Sequence, residues 1–145
     1  MADADANRRM ASPFDGVLGY QLRRASSAVM GDFALALAPL DLRPSDASVL
    51  LLIASNPSAT QSEIGRALGI KRANMAPLVA GLEKRQLVER APVDGRSQGL
   101  TLTDAGAETA HAVQTAVVAN DAKFFGRLSE AQREQLAALL GLLRG

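Results

Sequence analysis

Two short runs hold residue types suited to one chemistry, the recognition of a nucleic-acid duplex. Lys71-Arg72-Ala73-Asn74 sets two cations beside an amide. Lys and Arg reach phosphates or guanine edges, and Asn can read adenine through paired hydrogen bonds. Further along, Asp94-Gly95-Arg96-Ser97-Gln98 places an Arg within a turn-rich stretch. At a hairpin tip, a guanidinium can enter the minor groove, whose narrow A·T-rich stretches attract it. Asp94 is expected to pair with a basic side chain and hold the tip's shape, and Ser97 and Gln98 to donate to phosphates. Gln61, Ser62 and Arg90 complete the candidate DNA-contact set. Two of them have a plainer alternative: Asn74 as a helix cap, Arg96 as a solvated turn. Met75 and Leu78 suit the core as well as a thymine methyl.

Catalysis has less to work with. The 145 residues include no Cys and a single His, His111. That removes disulfides, thiolate chemistry and Cys-bound zinc, and leaves little for a His-rich metal site or a Ser-His-Asp triad. No phosphate loop, metal cluster or activated nucleophile outlines an active site. The expectation is a non-enzyme with no catalytic residues, no metal ligands and no cofactor.

Net charge looks uninformative at +1, from 16 basic and 15 acidic residues. The average hides an asymmetry. Between Thr60 and Leu100 stand Arg66, Lys71, Arg72, Lys84, Arg85, Arg90 and Arg96 against Glu63, Glu83, Glu89 and Asp94, a local +3, which leaves −2 for the rest. Affinity for DNA should then depend on salt through counterion release.

The elements that must position these residues are mostly helical. Ala and Leu abound and aromatics make up 3%, a balance that favours helices over sheets. At 48% hydrophobic residues, the chain can bury a core. Phe14, Leu18, Leu22, Ala25, Val29, Phe33, Ala36 and Leu40 recur at helical steps and predict one amphipathic segment from about Pro13 to Leu40. Pro44 suits the first turn of a helix ending near Ser55. Thr60-Gln61-Ser62-Glu63 is a capping-box pattern, Gly69 a break, and Lys71 to about Arg85 a second short helix. Leu87–Ala91 and Gly99–Leu102 read as strands of a hairpin. A helix-turn-helix followed at once by a hairpin is a winged helix. Thr103 can cap a long helix from Asp104 to about Phe125, and Ser129 opens the last one.

Three pieces, LRPSDASVLLLIA, TQSEIGRALGIKRANMAPLVAGLEKRQLVER and above all the wing DGRSQGLTLTDAG, make the chain resemble the MarR family of bacterial transcription regulators from about Val17 to Leu143. Asp94, Arg96, Leu102, Thr103 and Gly106 occupy that family's wing positions. The resemblance implies a homodimer with intertwined first and last helices, a DNA-binding lobe in mid-chain, and an effector pocket between lobe and dimer interface. The terminal segments, apolar on one face, need a partner to cover them on physical grounds too. The fold expected is mainly α with a small β-hairpin wing. Residues 1–12 would be a disordered tail, 13–42 and 104–145 dimerisation helices, and 43–103 the winged helix-turn-helix, all in one compact domain. Two positions depart from the family. Gly99 replaces a common basic residue, implying a wing that grips less backbone. Pro77 predicts a recognition helix that starts near Asn74 or bends at the proline.

The resemblance further implies release by a small aromatic or anionic effector. Without Cys there is no thiol sensor, and one His argues against zinc sensing. Tyr20, Arg23, Arg24, Phe33, Arg43 and His111 are the candidate effector contacts, since Arg can grip carboxylate or phosphate. The alternative has Arg23 and Arg24 paired with Asp32 or Asp41, and His111 as a structural residue. LGYQLRRA with IKRANMAPL is most similar to a subgroup sensing hydroxycinnamoyl-CoA thioesters, such as p-coumaroyl-CoA or feruloyl-CoA. The leading expectation is thus a homodimeric repressor on a pseudo-palindromic operator in double-stranded DNA. The alternative is a winged-helix protein–protein module without an operator. With a polar start and no apolar run long enough for a bilayer, a cytoplasmic protein away from membranes is expected.

Overall fold

The apolar run Val49-Leu50-Leu51-Leu52-Ile53 is too continuous for a surface helix, and in the computed structural model it forms the centre of the core. The structure describes residues 11–144; the expected tail over 1–12 lies outside these except for Ala11 and Ser12. The chain runs α1 (Leu18–Leu37), a 3-10 turn (Ala38–Leu40), α2 (Pro44–Ser55), α3 (Gln61–Leu68), α4 (Arg72–Lys84), β1 (Val88–Pro92), β2 (Gln98–Leu102), α5 (Asp104–Phe125) and α6 (Glu130–Arg144). The fold is mainly helical with one antiparallel hairpin, a winged helix with long helices on both sides.

The caps read from sequence are made. Thr60 Oγ1 accepts from Glu63 N, and Glu63 Oε2 accepts from Thr60 N at 2.7 Å. Thr103 Oγ1 accepts from Gly106 N at 3.0 Å, and Ser129 exchanges bonds with Gln132. Each satisfies donors that a helix start leaves unpaired. Pro44 opens α2, with Asp46 accepting from Arg43 N at 2.9 Å.

One expectation changes and another is decided. The first helix starts at Leu18 and not at Pro13: residues 13–16 form a turn in which Phe14 O accepts from Val17 N. Of the two alternatives that Pro77 offers, a helix start near Asn74 is not taken, and the start read near Lys71 holds. Lys71 is its N-cap, and Lys71 O accepts from both Asn74 N and Met75 N. Pro77 sits on the exposed face of α4, where its missing N–H forfeits a single helical bond.

Leu37, Leu50, Ile53, Ile64, Met75, Leu82, Leu100 and Val113 are essentially inaccessible. They join the end of α1, the helix-turn-helix, the wing and α5 in one cluster, each worth about 1.5–3 kcal/mol of burial. The ends of the chain differ. Leu18 is 85% exposed, Leu142 80% and Leu143 73%, and α6 has no buried residue. Among the described residues no single helix is long and apolar enough to cross a membrane.

Candidate nucleic-acid interface

A helix-turn-helix needs its two helices to cross closely, and Gly65 permits it. A Cβ there would lie 2.9 Å from Met75 Cγ and 3.2 Å from Ile70 O. Gly69, at φ 66°, then turns the chain in the left-handed region that glycine adopts freely. On α4, Met75, Leu78, Val79 and Leu82 are buried, which settles Met75 and Leu78 as core residues. Lys71, Arg72 and Asn74 are exposed at its start. The cap position belongs to Lys71, and Asn74 makes no side-chain hydrogen bond among the described residues, so the helix-cap alternative is not realised.

The wing is built on the register Val88↔Leu102, Arg90↔Leu100 and Pro92↔Gln98. Its tip is shaped by Asp94, though not by pairing with a basic side chain as expected. Asp94 Oδ1 accepts instead from Arg96 N at 2.9 Å and Ser97 N at 2.7 Å. Those two N–H groups, Arg96 first, hold the carboxyl below the usual Asp range. Arg96 is left exposed at the tip, with Gln98 exposed and Ser97 half-buried behind it. A folded pKa below the unfolded value means the contribution is present at neutral pH and lost as pH falls through the folded value. Wing order should therefore weaken on acidification below the ordinary carboxylate range. Asp94→Ala should speed amide exchange at Arg96 and Ser97 and weaken DNA binding severalfold, while Asp94→Asn, which keeps an acceptor oxygen, should do less. Amide exchange followed by NMR, alongside a binding titration, checks both.

Gly99 has a packing reason that its place in the sequence does not suggest. A Cβ at this buried position would fall 2.3 Å from Ser58 O and 2.6 Å from Val93 Cγ2. Ser58 N donates to Leu100 O and Leu100 N to Ala59 O, and Thr60 bridges to Gly99. The stretch before α3 thus lies along the outer edge of β2, joined to it by a single bridge and these backbone bonds. A larger side chain at Gly99 would run into that contact, which gives the glycine a packing reason of its own.

The structure brings the two opening motifs together through α3. Arg66 borders a cleft with Gln61, Ser62 and Arg72 and also a cleft with Asp94 and Ser97. Sequence reasoning counted Arg66 only as charge, although it stands one turn beyond Ser62 on the polar face of α3. Ser62 is exposed, and Gln61 half-buried. Not every cation faces outward. Arg85 donates to Leu40 O at 2.9 Å and Asp41 O at 2.6 Å, tying the end of α4 to the α1–α2 junction. Arg90 binds Glu83 and Gln61. The α3 cap holds Glu63 below the usual Glu range, chiefly through Thr60 N–H, which leaves a local negative charge at a helix start.

The effector candidates are not gathered within one protomer. Tyr20 stacks near Phe14, with ring centroids 5.2 Å apart, and the Arg24 guanidinium lies 5.9 Å from the Tyr20 centroid. Phe33 is thirteen residues away on the same helix, roughly 20 Å at the helical rise. It lines a small cleft with Val29, Val117, Asn120 and Phe125. Arg43 is occupied by Asp46, with Nε 3.2 Å from Oδ2. His111 is exposed on α5. The pairings offered as an alternative for Arg23 and Arg24 are absent among the described residues: Asp32 binds Lys123 instead.

Comparison with known proteins places this arrangement. A family model described as MarR family matches residues 40–97. A Thauera aromatica protein named "Putative transcriptional regulatory protein for hcr operon" is 31% identical over 96% of this chain and 86% of its own length. A solved structure of the transcriptional repressor CouR bound to a 23-mer DNA duplex is 36% identical, with a TM-score of 0.82 over 89% of this chain and 93% of that one. CouR bound to p-coumaroyl-CoA is 32% identical, with a TM-score of 0.82 over 95% of this chain and 98% of that one.

Proposed function

The chain belongs to the MarR family of transcriptional regulators, and from that premise we propose that it is a homodimeric, sequence-specific repressor released by an aryl-CoA thioester. The exposed cationic start of α4, joined through Arg66 to the Arg96 wing, carries the DNA half of this reading. Lys71, Arg72 and Asn74 would enter the major groove and Arg96 the flanking minor groove, with Gln61, Ser62, Ser97 and Gln98 on phosphates. Its likeness to a DNA-bound repressor supports this over a protein–protein module. The uncovered apolar faces of α1 and α6 support the dimer: α1 leaves Leu18, Leu22 and Leu35 in water, and α6 leaves Leu139, Leu142 and Leu143.

The effector half rests on chemistry at the start of α1. Arg23 and Arg24 are exposed and bound by no acid among the described residues. Two such guanidinium groups within about a turn of Tyr20, Arg24 lying 5.9 Å from its ring centroid, suit a ligand that joins an aromatic acyl group to phosphates. Phe33 would be reached from elsewhere in the dimer, since thirteen residues of α1, roughly 20 Å, separate it from Tyr20. CouR, similar over nearly the whole chain, was solved with such a ligand.

A mobility-shift titration with DNA from the gene's own promoter region tests the first half. Binding to half-sites about one helical turn apart is expected. Calorimetry with p-coumaroyl-CoA, feruloyl-CoA and the free acids tests the second half. Heat and release of DNA with the thioesters but not the free acids are expected; no heat with any of them rejects the effector, and no preference for the promoter DNA rejects the operator.

A further inference from the structure

Arg90 carries one of the seven positive charges between Thr60 and Leu100, yet it is already engaged. Its Nε donates to Glu83 Oε1 at 2.8 Å, and one terminal nitrogen donates to Gln61 Oε1 at 3.0 Å and Glu83 Oε2 at 3.3 Å. One guanidinium therefore ties together the first residue of α3, the last turns of α4 and the middle of β1. The pleat explains the direction. Arg90 lies on the same face of the hairpin as Val88 and opposite Leu100, both buried. Its stem starts on the core side of the strand and runs towards the helices. The side chains of Arg90 and Glu83 are each about one-third exposed, at 32% and 31%, so neither is a freely solvated charge.

We propose that Arg90 is a positioning residue and not a phosphate contact: with Glu83 and Gln61 it fixes the wing's height and angle over the recognition helix. Two residues beyond Arg90 the paired strand ends at Pro92, and the tip carrying Arg96 begins. Among the described residues the clamp thus holds the last side-chain hydrogen bonds between the tip and the two helices. To reach DNA, Arg90 would have to leave Glu83, exposing an unpaired carboxylate beside the phosphates. A neutralised, doubly held guanidinium suits alignment better than attraction.

This inference rests on the DNA-binding reading, so its test has an arm that needs no DNA. Because the chain has no cysteine, nitroxide labels at Gly95→Cys on the wing tip and Ala76→Cys on the exposed face of α4 report their separation by pulsed EPR. Labelled protein diluted into unlabelled protein isolates the distance within one protomer. The distribution should be narrow in the parent, broad in Glu83→Gln, and narrow again in the reversed pair Glu83→Arg with Arg90→Glu. An unchanged width in Glu83→Gln overturns the clamp whether or not the protein binds DNA, provided circular dichroism shows the variant folded.

In the DNA arm, operator and unrelated duplex are titrated across a salt series. Glu83→Gln should lose operator affinity about tenfold while keeping affinity for unrelated DNA. Arg90→Gln should do the same with an unchanged salt slope. Tighter operator binding by Glu83→Gln, or a slope reduced by about one per half-site in Arg90→Gln, would make Arg90 a phosphate contact and end the proposal. Equal affinity of the parent for operator and unrelated DNA would instead count against the operator reading, and the label distances would still decide the clamp.

Discussion

Arg96→Ala is expected to lower operator affinity by ~30-fold or more at about 150 mM salt, from about 1–3 kcal/mol per wing counted twice in a dimer. The magnitude follows from how the tip is made. Asp94, the nearest acid, uses its oxygen on the N–H groups of Arg96 and Ser97, so the guanidinium is left without an acidic partner among the described residues. Its backbone is held while its side chain stays exposed. A tip whose backbone is already held spares the cost of ordering the turn, so binding has only the Arg96 side chain left to immobilise. Arg96→Lys keeps the charge but lacks the planar fork, and should fall between parent and alanine variant. Fluorescence anisotropy with the operator fragment measures all three. Unchanged affinity in Arg96→Ala would remove the wing tip from the interface.

The largest stability effect is expected at Gly106, in the first turn of α5. A Cβ there would stand 1.9 Å from Leu87 O and 2.9 Å from the Leu87 carbonyl carbon. The obstacle is backbone, which cannot swing aside. It is also fixed: Thr103 N donates to Leu87 O at 3.1 Å, and Thr103 Oγ1 to Gln86 O at 2.6 Å. Gln86 holds a left-handed φ of 56° to bring the chain there. Gly106→Ala must separate α5 from the junction of α4 and β1, at a cost of about 3 kcal/mol or more. At about 2–4 °C per kcal/mol for a chain of this size, Tm should fall by about 6 °C or more. Gly81→Ala is the contrast. Gly81 is an exposed residue of α4 with nothing within 4 Å of its would-be Cβ, so alanine should stabilise by about 0.5–1 kcal/mol. Thermal unfolding of both at one protein concentration, fixed because dimerisation shifts Tm, gives the comparison. A Gly106→Ala transition within a degree of the parent would mean the junction yields at no cost.

Much of this protein is written locally. Capping boxes at Thr60 and Ser129, the cap at Thr103, the break at Gly69 and the alternation around the wing depend on neighbours a few residues apart, and each forms where its pattern stands. The asymmetry of charge and the exposed start of α4 are likewise local, because a helix's buried face is set by its own period. The first helix shows the limit of such reading. Its apolar repeat begins at Phe14, but Phe14 and Leu18 are left in water, since one protomer offers α5 to cover only the second half.

What tertiary structure alone decided is what each polar or small residue spends itself on. The seven cations between Thr60 and Leu100 look equivalent in the sequence, yet Arg85 is committed to two carbonyls more than forty residues earlier, and Arg90 to Glu83 and Gln61. Asp94 turned out to hold backbone and no cation. Gly99 reads in the sequence as a missing charge and Gly106 as a wing position, with nothing local to mark Gly65; at all three another segment stands too close for a Cβ, the Met75 side chain at Gly65 and backbone at Gly99 and Gly106. The physical reason is common to all of them. Periodicity and capping report a residue's relation to its own segment, whereas a hydrogen-bond partner or a close approach depends on which distant segment the fold sets beside it.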